Sequence, residues 1–413
     1  MVAKTIYIAE VIAHRYMLTG VVIQLIIHQS RRYPMFKQII CFSLLLCSFR
    51  CYAQTSNIDT LSFSLEKKLL VFKGKLNGAE VDFAFDTGAE IGVLNSANQV
   101  VAKCDIGSNK KRVKDANNKT VKGQKISIEK LTIGSFEFED VRSLYADMEF
   151  LQCNQLYLLG QNVISKLNWR FDFTNHSVLV SESPFSIDSS FTQLPVTGSS
   201  KRPFTEFALG SKKVNRCLID FGYTGILDFP ESDLINSFYY GSASSGSTTI
   251  GLYSNMGLGG LGDPDTLKSV KLHEFVLGGL HFADVLVSIP EKASLKIGVG
   301  FFSKYCNQVI LNHTTGAYYV HPNPQPPTFS AVSDARISMV AGKLLVTGKS
   351  LSANSTASAL QIGEEIKTIA GKSALDFPQP CDFFNWFTFL PLAEIEIEKI
   401  TGEKVVVKRG WIK

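Results

Sequence analysis

The sequence predicts a mainly β protein in which one structural unit is used twice and a small α+β domain follows. Three observations carry this. Residues 71–95 and 203–230 share one pattern of strand, tight turn, strand and acidic loop. The composition, with 29 Phe, 31 Gly and 14 Pro in 413 residues, suits short strands joined by Gly and Pro turns better than long helices. A proline-rich joint, His321-Pro322-Asn323-Pro324-Gln325-Pro326-Pro327, separates the repeated region from a tail of different pattern. With 45% hydrophobic and 19% charged residues, the chain is too apolar for a disordered protein and long enough for two or three domains.

The formal net charge of +5 would by itself suggest nucleic acid or an anionic membrane surface as partner. Its location removes that inference. Residues 1–53 hold Lys4, Arg15, Arg31, Arg32, Lys37 and Arg50 against Glu10 alone, which is the whole surplus. The other 360 residues carry 36 basic and 36 acidic side chains, and the locally basic Lys110–Lys114 reads as a solvated face, so no nucleic-acid partner is expected. From Met35 the chain reads as a signal peptide over about 35–53. Lys37 comes first, the apolar run Ile39–Phe49 follows, and Cys51 and Ala53 supply small residues for cleavage before Gln54. Residues 1–34 are an upstream extension. The alternative is a membrane anchor that also uses Leu18–Ile27. Cys47 follows three leucines, whereas a lipid-bearing cysteine needs a small residue before it. Nothing downstream approaches transmembrane length, so the expectation is an exported protein, periplasmic or extracellular, with no stable membrane span once the signal is removed.

Cys41, Cys47 and Cys51 leave with this segment, and Cys104, Cys153, Cys217, Cys306 and Cys381 remain. Their spacing makes no zinc pattern. Cys104 with Cys153 and Cys217 with Cys306 could pair in an oxidising compartment, or all could be small buried hydrophobes.

Copy one, about 55–186, contains VFKGKLNGAEVDFAFDTGAEIGVLN (Val71–Asn95). It turns at Asn77-Gly78 and arrives at Asp86-Thr87-Gly88-Ala89. Copy two, about 187–322, turns near Gly210-Ser211 and arrives at Asp220-Phe221-Gly222. The second halves match as well. Ile164–Pro184 parallels Phe302–Pro322 as strand–turn–strand, each preceded by a glycine step, Leu158-Leu159-Gly160 and Lys296-Ile297-Gly298. Two such units packed about a pseudo-twofold axis bring Asp86 and Asp220 together. Carboxyls in contact cannot both ionise, so they share one proton and titrate as a unit. One then serves as base toward a water and the other as acid toward a peptide carbonyl, with no metal and no cofactor. Glycines beside them let backbone N–H groups reach the carboxylates.

On these residues, 55–322 resemble an aspartic protease of the pepsin and retropepsin type. Asp86-Thr87-Gly88-Ala89 between apolar Val81, Phe83, Phe85 and Val93-Leu94 matches the first family motif, and Leu158–Ile164 resembles the segment that threads the acidic loop. The resemblance implies a two-lobed pepsin/retropepsin-like β fold with a cleft, a polypeptide substrate and Asp86 and Asp220 as the catalytic dyad. It also implies Thr87, Gly88, Ala89 and Gly222 as loop support. A flap is implied near Val113–Gly123, with Asp115, Ala116 and Asn117 at its turn, and its counterpart in copy two falls in Gly241–Gly262. One position departs. Where the second motif should carry Thr or Ser, whose hydroxyl bonds across the lobes, stands Phe221. The alternative for Asp220 is therefore a loop acid in a lobe kept as scaffold. Asp-Phe-Gly also occurs in kinases, but no phosphate-cradling loop or catalytic-loop signature accompanies it. His176, His273, His281, His313 and His321 show no metal-ligand spacing, and no Gly-x-Ser-x-Gly is present.

Beyond a linker at 323–328, residues 329–413 alternate strand segments (Arg336–Met339, Lys343–Thr347) with a short helical candidate at Thr356–Leu360. Gln361–Lys372 then resembles the central signature of a PDZ domain, and a strand pair turning at Thr401-Gly402-Glu403 closes the chain. The resemblance implies a small α+β domain that holds a peptide C-terminus or an extended strand at a sheet edge. The Gly-Leu-Gly-Phe carboxylate loop is not recognisable near Val332–Met339, which leaves a packing module without a ligand as the alternative. Two functions follow: an exported aspartic endopeptidase, or a catalytically silent protease fold that binds extended peptides.

Overall fold

The computed structural model describes residues 57–408 except 67–68, 115–119, 199, 245–248, 254–255, 258–259, 262–264, 291–293, 326–333, 352–354 and 391. The signal segment and the flap-turn residues Asp115, Ala116 and Asn117 lie outside the described residues. The first barrel begins with β1 (Ile58–Ser64), β2 (Val71–Leu76) and β3 (Ala79–Phe85). Asn77 and Gly78 take φ of +48° and +82°, the backbone of a two-residue type I′ turn, and β2 and β3 pair accordingly from Leu76↔Ala79 to Val71↔Ala84. Next come β4 (Gly92–Leu94), β5 (Asp105–Lys114), β6 (Thr120–Ile133), β7 (Phe136–Tyr145) and a short helix α1 (Glu149–Cys153). The copy ends with β8 (Leu156–Leu159), α2 (Gln161–Ile164), β9 (Asn168–Asp172) and β10 (Ser177–Ser181). The sheet order is β2-β3-β8-β4-β7-β6-β5, closed by pairing of β2 with β6. Closure leaves the alternating apolar faces of these strands nowhere to go but inward: Leu76, Phe83, Phe85, Ile128 and Leu159 are fully buried.

The second copy repeats this plan. Its strands are β11 (Thr192–Leu194), β12 (Phe204–Leu209), β13 (Lys212–Asp220) and β14 (Leu227–Asp228), followed by helix α3 (Glu231–Tyr239) and β15 (Thr249–Tyr253). The two-residue strands β16 (Met256–Gly257) and β17 (Gly260–Leu261) precede β18 (Asp265–Leu272), β19 (Phe275–Leu277), β20 (Leu280–Phe282) and β21 (Val285–Pro290). Last are β22 (Lys296–Gly298), α4 (Val299–Tyr305), β23 (Cys306–Asn312) and β24 (Ala317–Pro322). The order β12-β13-β22-β14-β21-β18-β15 corresponds strand for strand to the first barrel. In both, the strand before the acid runs parallel to the strand before the glycine, Phe85 beside Leu159 and Asp220 beside Gly298.

A six-stranded antiparallel sheet, β1-β10-β9-β23-β24-β11, joins the copies, with β9 and β23 at its centre and Arg170 opposite Ile310. Its order reads the same from either end, which is the pseudo-twofold in sheet form. Trp169 and Phe171 from β9 and Val309 and Leu311 from β23 are buried in one core continuous between the barrels, and Trp169 Nε1 donates to Ile164 O at 2.9 Å. The mainly β expectation holds.

The tail forms a module with its own core, in which Ile337, Leu344, Val346, Ile366, Ile369, Phe383, Ile395 and Ile397 are buried. Its elements are β25 (Ala335–Val340), β26 (Lys343–Ser350), a 3-10 turn at Thr356–Ala359, β27 (Glu365–Ile369), helix α5 (Pro380–Phe389), β28 (Glu394–Lys399) and β29 (Lys404–Lys408). Sequence reading did not anticipate α5, although its start is encoded. Gln379 and Asp382 form a capping box and Pro380 occupies the first turn. Two ties bind this module to the barrels. β26 pairs with β15, Gly251↔Ser350 through Tyr253↔Gly348. Cys153 at the end of α1 is disulfide-bonded to Cys381 in α5. The pairings of Cys104 with Cys153 and of Cys217 with Cys306 are thereby corrected. Cys104, Cys217 and Cys306 are free, and Cys217 and Cys306 sit in the core as small apolar groups.

A bridge across 228 residues removes loop-closure entropy from the unfolded chain, worth about 5 kcal/mol on the chain-entropy scale. A chain beginning at residue 54 should show three thiols in denaturant before reduction and five after, and Cys381→Ser should lower the thermal midpoint. Five thiols without reductant would disprove the bridge.

Candidate active site

Asp86 follows β3 and Asp220 ends β13, so each acid is delivered by the same step of the same barrel. Asp86 N–H donates to Leu159 O at 3.0 Å, which anchors the first loop on the glycine-step strand. The Asp86 carboxylate then accepts Gly88 N–H at 2.7 Å and Ala89 N–H at 3.0 Å, and Asp220 accepts Gly222 N–H at 3.0 Å. The loops cross. A Cβ on Gly88 would lie 2.6 Å from Asp220 Oδ1, and one on Gly222 would lie 2.2 Å from Asp86 Cγ. Each glycine is thus required by the acid of the other copy, and the two carboxyls hydrogen-bond each other. Asp86, Thr87, Gly88, Ala89, Asp220 and Gly222 are brought together.

Thr87 is completely buried and holds the loops in register. Its hydroxyl donates to Ile219 O at 2.6 Å and accepts Phe221 N–H at 3.0 Å, two bonds into the opposite copy from one oxygen. The loss of a hydroxyl at Phe221 therefore removes only one half of a reciprocal arrangement. The benzyl group fills the space instead. It is fully buried, stacks on Phe302 at 5.0 Å between centroids and meets Phe85 and Phe171 at 5.7 and 5.5 Å. Sequence reading weighed Phe221 by its missing hydrogen bonds, whereas its contribution is packing and a backbone donor.

Both acids are pushed above the ordinary carboxylate range. For Asp86 the cause is burial, then the charge of Asp220, with the Gly88 and Ala89 N–H groups opposing. For Asp220 burial again leads, but the cation of Lys296 and the hydrogen bond from Asp86 pull the other way. The two acids therefore titrate as a pair, and the Lys296 cation favours the charged form of Asp220.

Three further residues adjoin Asp220 that sequence reading missed. Tyr223 donates its hydroxyl to Asp228 Oδ1 at 2.5 Å. Lys296 Nζ stands 3.7 Å from Asp228 Oδ2 and 4.1 Å from the Tyr223 ring centroid. A signal existed: Lys296 is a cation where the first copy has Leu158, in a glycine step otherwise apolar. Among the described residues no three His, Cys, Asp or Glu side chains gather as metal ligands.

The family model described as "gag-polyprotein putative aspartyl protease" matches residues 72–166, from β2 through Asp86 to the helix after Gly160. Among solved structures, the aspartic proteinase from Irpex lacteus aligns with 65% of this chain and 98% of its own, at 12% identity and a TM-score of 0.41. No curated protein matches the chain in sequence. The family match and the strand order of the two barrels identify an aspartic-protease-like β fold.

Thr87→Val should cost about 2–4 kcal/mol in chemical denaturation, because it leaves a buried carbonyl and a buried N–H unpaired, while Thr87→Ser should retain most of that stability. Phe221→Thr should cost about 3 kcal/mol through the cavity left between Phe85, Phe171 and Phe302. A carboxyl whose folded pKa is raised stabilises most when protonated, and that contribution is lost as pH rises above the ordinary carboxylate range. Asp86→Asn should therefore be more stable than wild type at pH 7 and equal to it near pH 3. Melting curves across that interval check the sign.

Proposed function

We propose that the chain is an aspartic endopeptidase. The single observation that carries this reading is the contact between Asp86 and Asp220 on two loops that exclude each other's side chains and are tied by one hydroxyl. With the proton on Asp86, Asp220 takes a proton from water as the water oxygen attacks the scissile carbonyl, and Asp86 gives its proton to the carbonyl oxygen. The roles then reverse. Asp220 passes its proton to the departing nitrogen, and Asp86 recovers one from the gem-diol as the C–N bond breaks. Preorganisation supports this chemistry, since neither loop has to move to meet the other.

The tail module supports substrate recruitment. Among the described residues β25 pairs on one side alone, with β26, and α5 packs beside it, which suits addition of an extended peptide as a PDZ-like domain would take it. Export through residues 35–53 is supported by the Cys153–Cys381 bridge, a linkage at home in an oxidising compartment.

Cleavage of denatured casein between pH 3 and 7 tests the reading. Asp86→Asn and Asp220→Asn should each lower kcat/KM at least a thousandfold, and wild-type activity should persist above pH 6 because both acids are raised. If wild type matches both variants at every pH, the chain is a silent fold of this type.

A further inference from the structure

The two copies agree in strand order but not in what stands behind each acid. Counting from Asp86 and Gly160, the first copy places Ala89, Leu94 and Leu158 where the second has Tyr223, Asp228 and Lys296. An apolar trio in one barrel is a hydrogen-bonded, charged trio in the other. We propose that Lys296, set by Tyr223 and Asp228, is a positioning residue that decides which carboxyl of the pair is the base, holding the charge on Asp220 and leaving the proton to Asp86. This rests on the aspartic-protease reading above and adds to it a cause for asymmetry in a site built by near-symmetric parts.

The geometry is specific. β22 runs parallel to β13 with Leu218 beside Lys296 and Asp220 beside Gly298, so the lysine sits two residues below the acid on the neighbouring strand. β14 pairs on the other side of β22 and sets Asp228 opposite Lys296. The Lys296 side chain is 11% exposed and that of Asp228 10%, so solvent screens this pair poorly. At 3.7 Å the ion pair is loose, and Asp228 gives its shorter contact, 2.5 Å, to the Tyr223 hydroxyl. Asp228 thus neutralises the lysine only in part. Tyr223 is itself held by room made for it: a Cβ at Gly225 would lie 2.0 Å from its hydroxyl.

The charged and titratable groups that act on Asp220 come from every element around it. They are Asp86 of the first loop, Lys296 of β22 and exposed Arg202 ahead of β12, while Asp220 in turn acts on Asp228 of β14 and on Tyr223. Asp228 is raised to about 6 by burial, with Lys296 and Tyr223 opposing. As the medium falls below that value its charge is lost, and the lysine acts on Asp220 with less competition. Arg202 is in solvent and is the weaker cation here.

Removing the cation should move the acidic limb of kcat/KM on casein. Lys296→Met makes the Asp220 anion harder to form and should shift that limb up by about one pH unit, a tenfold loss at the acid end, while Lys296→Arg should keep the wild-type position. A structural role alone would lower activity in Lys296→Met without moving the limb. A limb that stays in place in Lys296→Met would overturn the proposal, with the protease reading intact. If wild type cuts nothing, carboxyl 13C titration of aspartate-labelled protein, with Asp220→Asn assigning the resonance, still reads the pair. Asp220 should then titrate below Asp86 in wild type and rise in Lys296→Met, and equal titration of the two acids would refute the asymmetry.

Discussion

One buried hydroxyl sets the geometry on which the rest of the site depends. Thr87 donates to one backbone group of the opposite copy and accepts from another, and both of those groups flank Asp220. A hydroxyl can do both at once because it carries one donor and two lone pairs, which no apolar or purely donating side chain could match. Buried as it is, the arrangement has no water to fall back on, so its two bonds constrain position sharply even if each contributes about 1 kcal/mol net. The barrels themselves are joined by the central sheet and a common apolar core. That broad interface supplies cohesion, and Thr87 converts it into register at the two acids.

Immediately around the two acids, the copies differ in side chains. Backbone steps are kept: the parallel pairing beside each acid, the glycine that follows and the crossing of the loops recur in both. What changed is the material behind them. Phe221 exchanged a polar tie for an aromatic cluster, and Lys296 and Asp228 exchanged apolar filling for charge. Both exchanges lie on the same side of the pseudo-twofold, so one copy keeps the tie and the other carries the charges.

Much of this was legible in the sequence because a repeat announces itself through local patterns. Asn77-Gly78, the alternation around it and the acid that follows are short-range features, and the second copy repeats them at a nearly fixed interval. The facing of Asp86 and Asp220 followed from symmetry rather than from any residue between them. Other features depend on segments distant in sequence. The partner of Cys153 lies in a helix 228 residues away, in a module whose docking on β15 no periodicity encodes. Helix α3 was overlooked because its nine residues interrupt a strand-rich stretch. Phe221 was read by the hydrogen bonds it cannot make, and its real environment of three rings from three elements exists only after folding.

The disulfide also changes what a cut in the chain would do. Residues 153 and 381 bracket the whole second barrel, so the stretch between them is a covalent ring with two free ends outside it. A single cleavage anywhere inside that ring, including at the proline-rich joint, yields fragments that stay bonded to one another and keep the pairing of β15 with β26 beside them. For a molecule proposed to hydrolyse peptide bonds, a nick in its own ring would change the pattern on a reducing gel and leave the mass of the oxidised particle greater by one water.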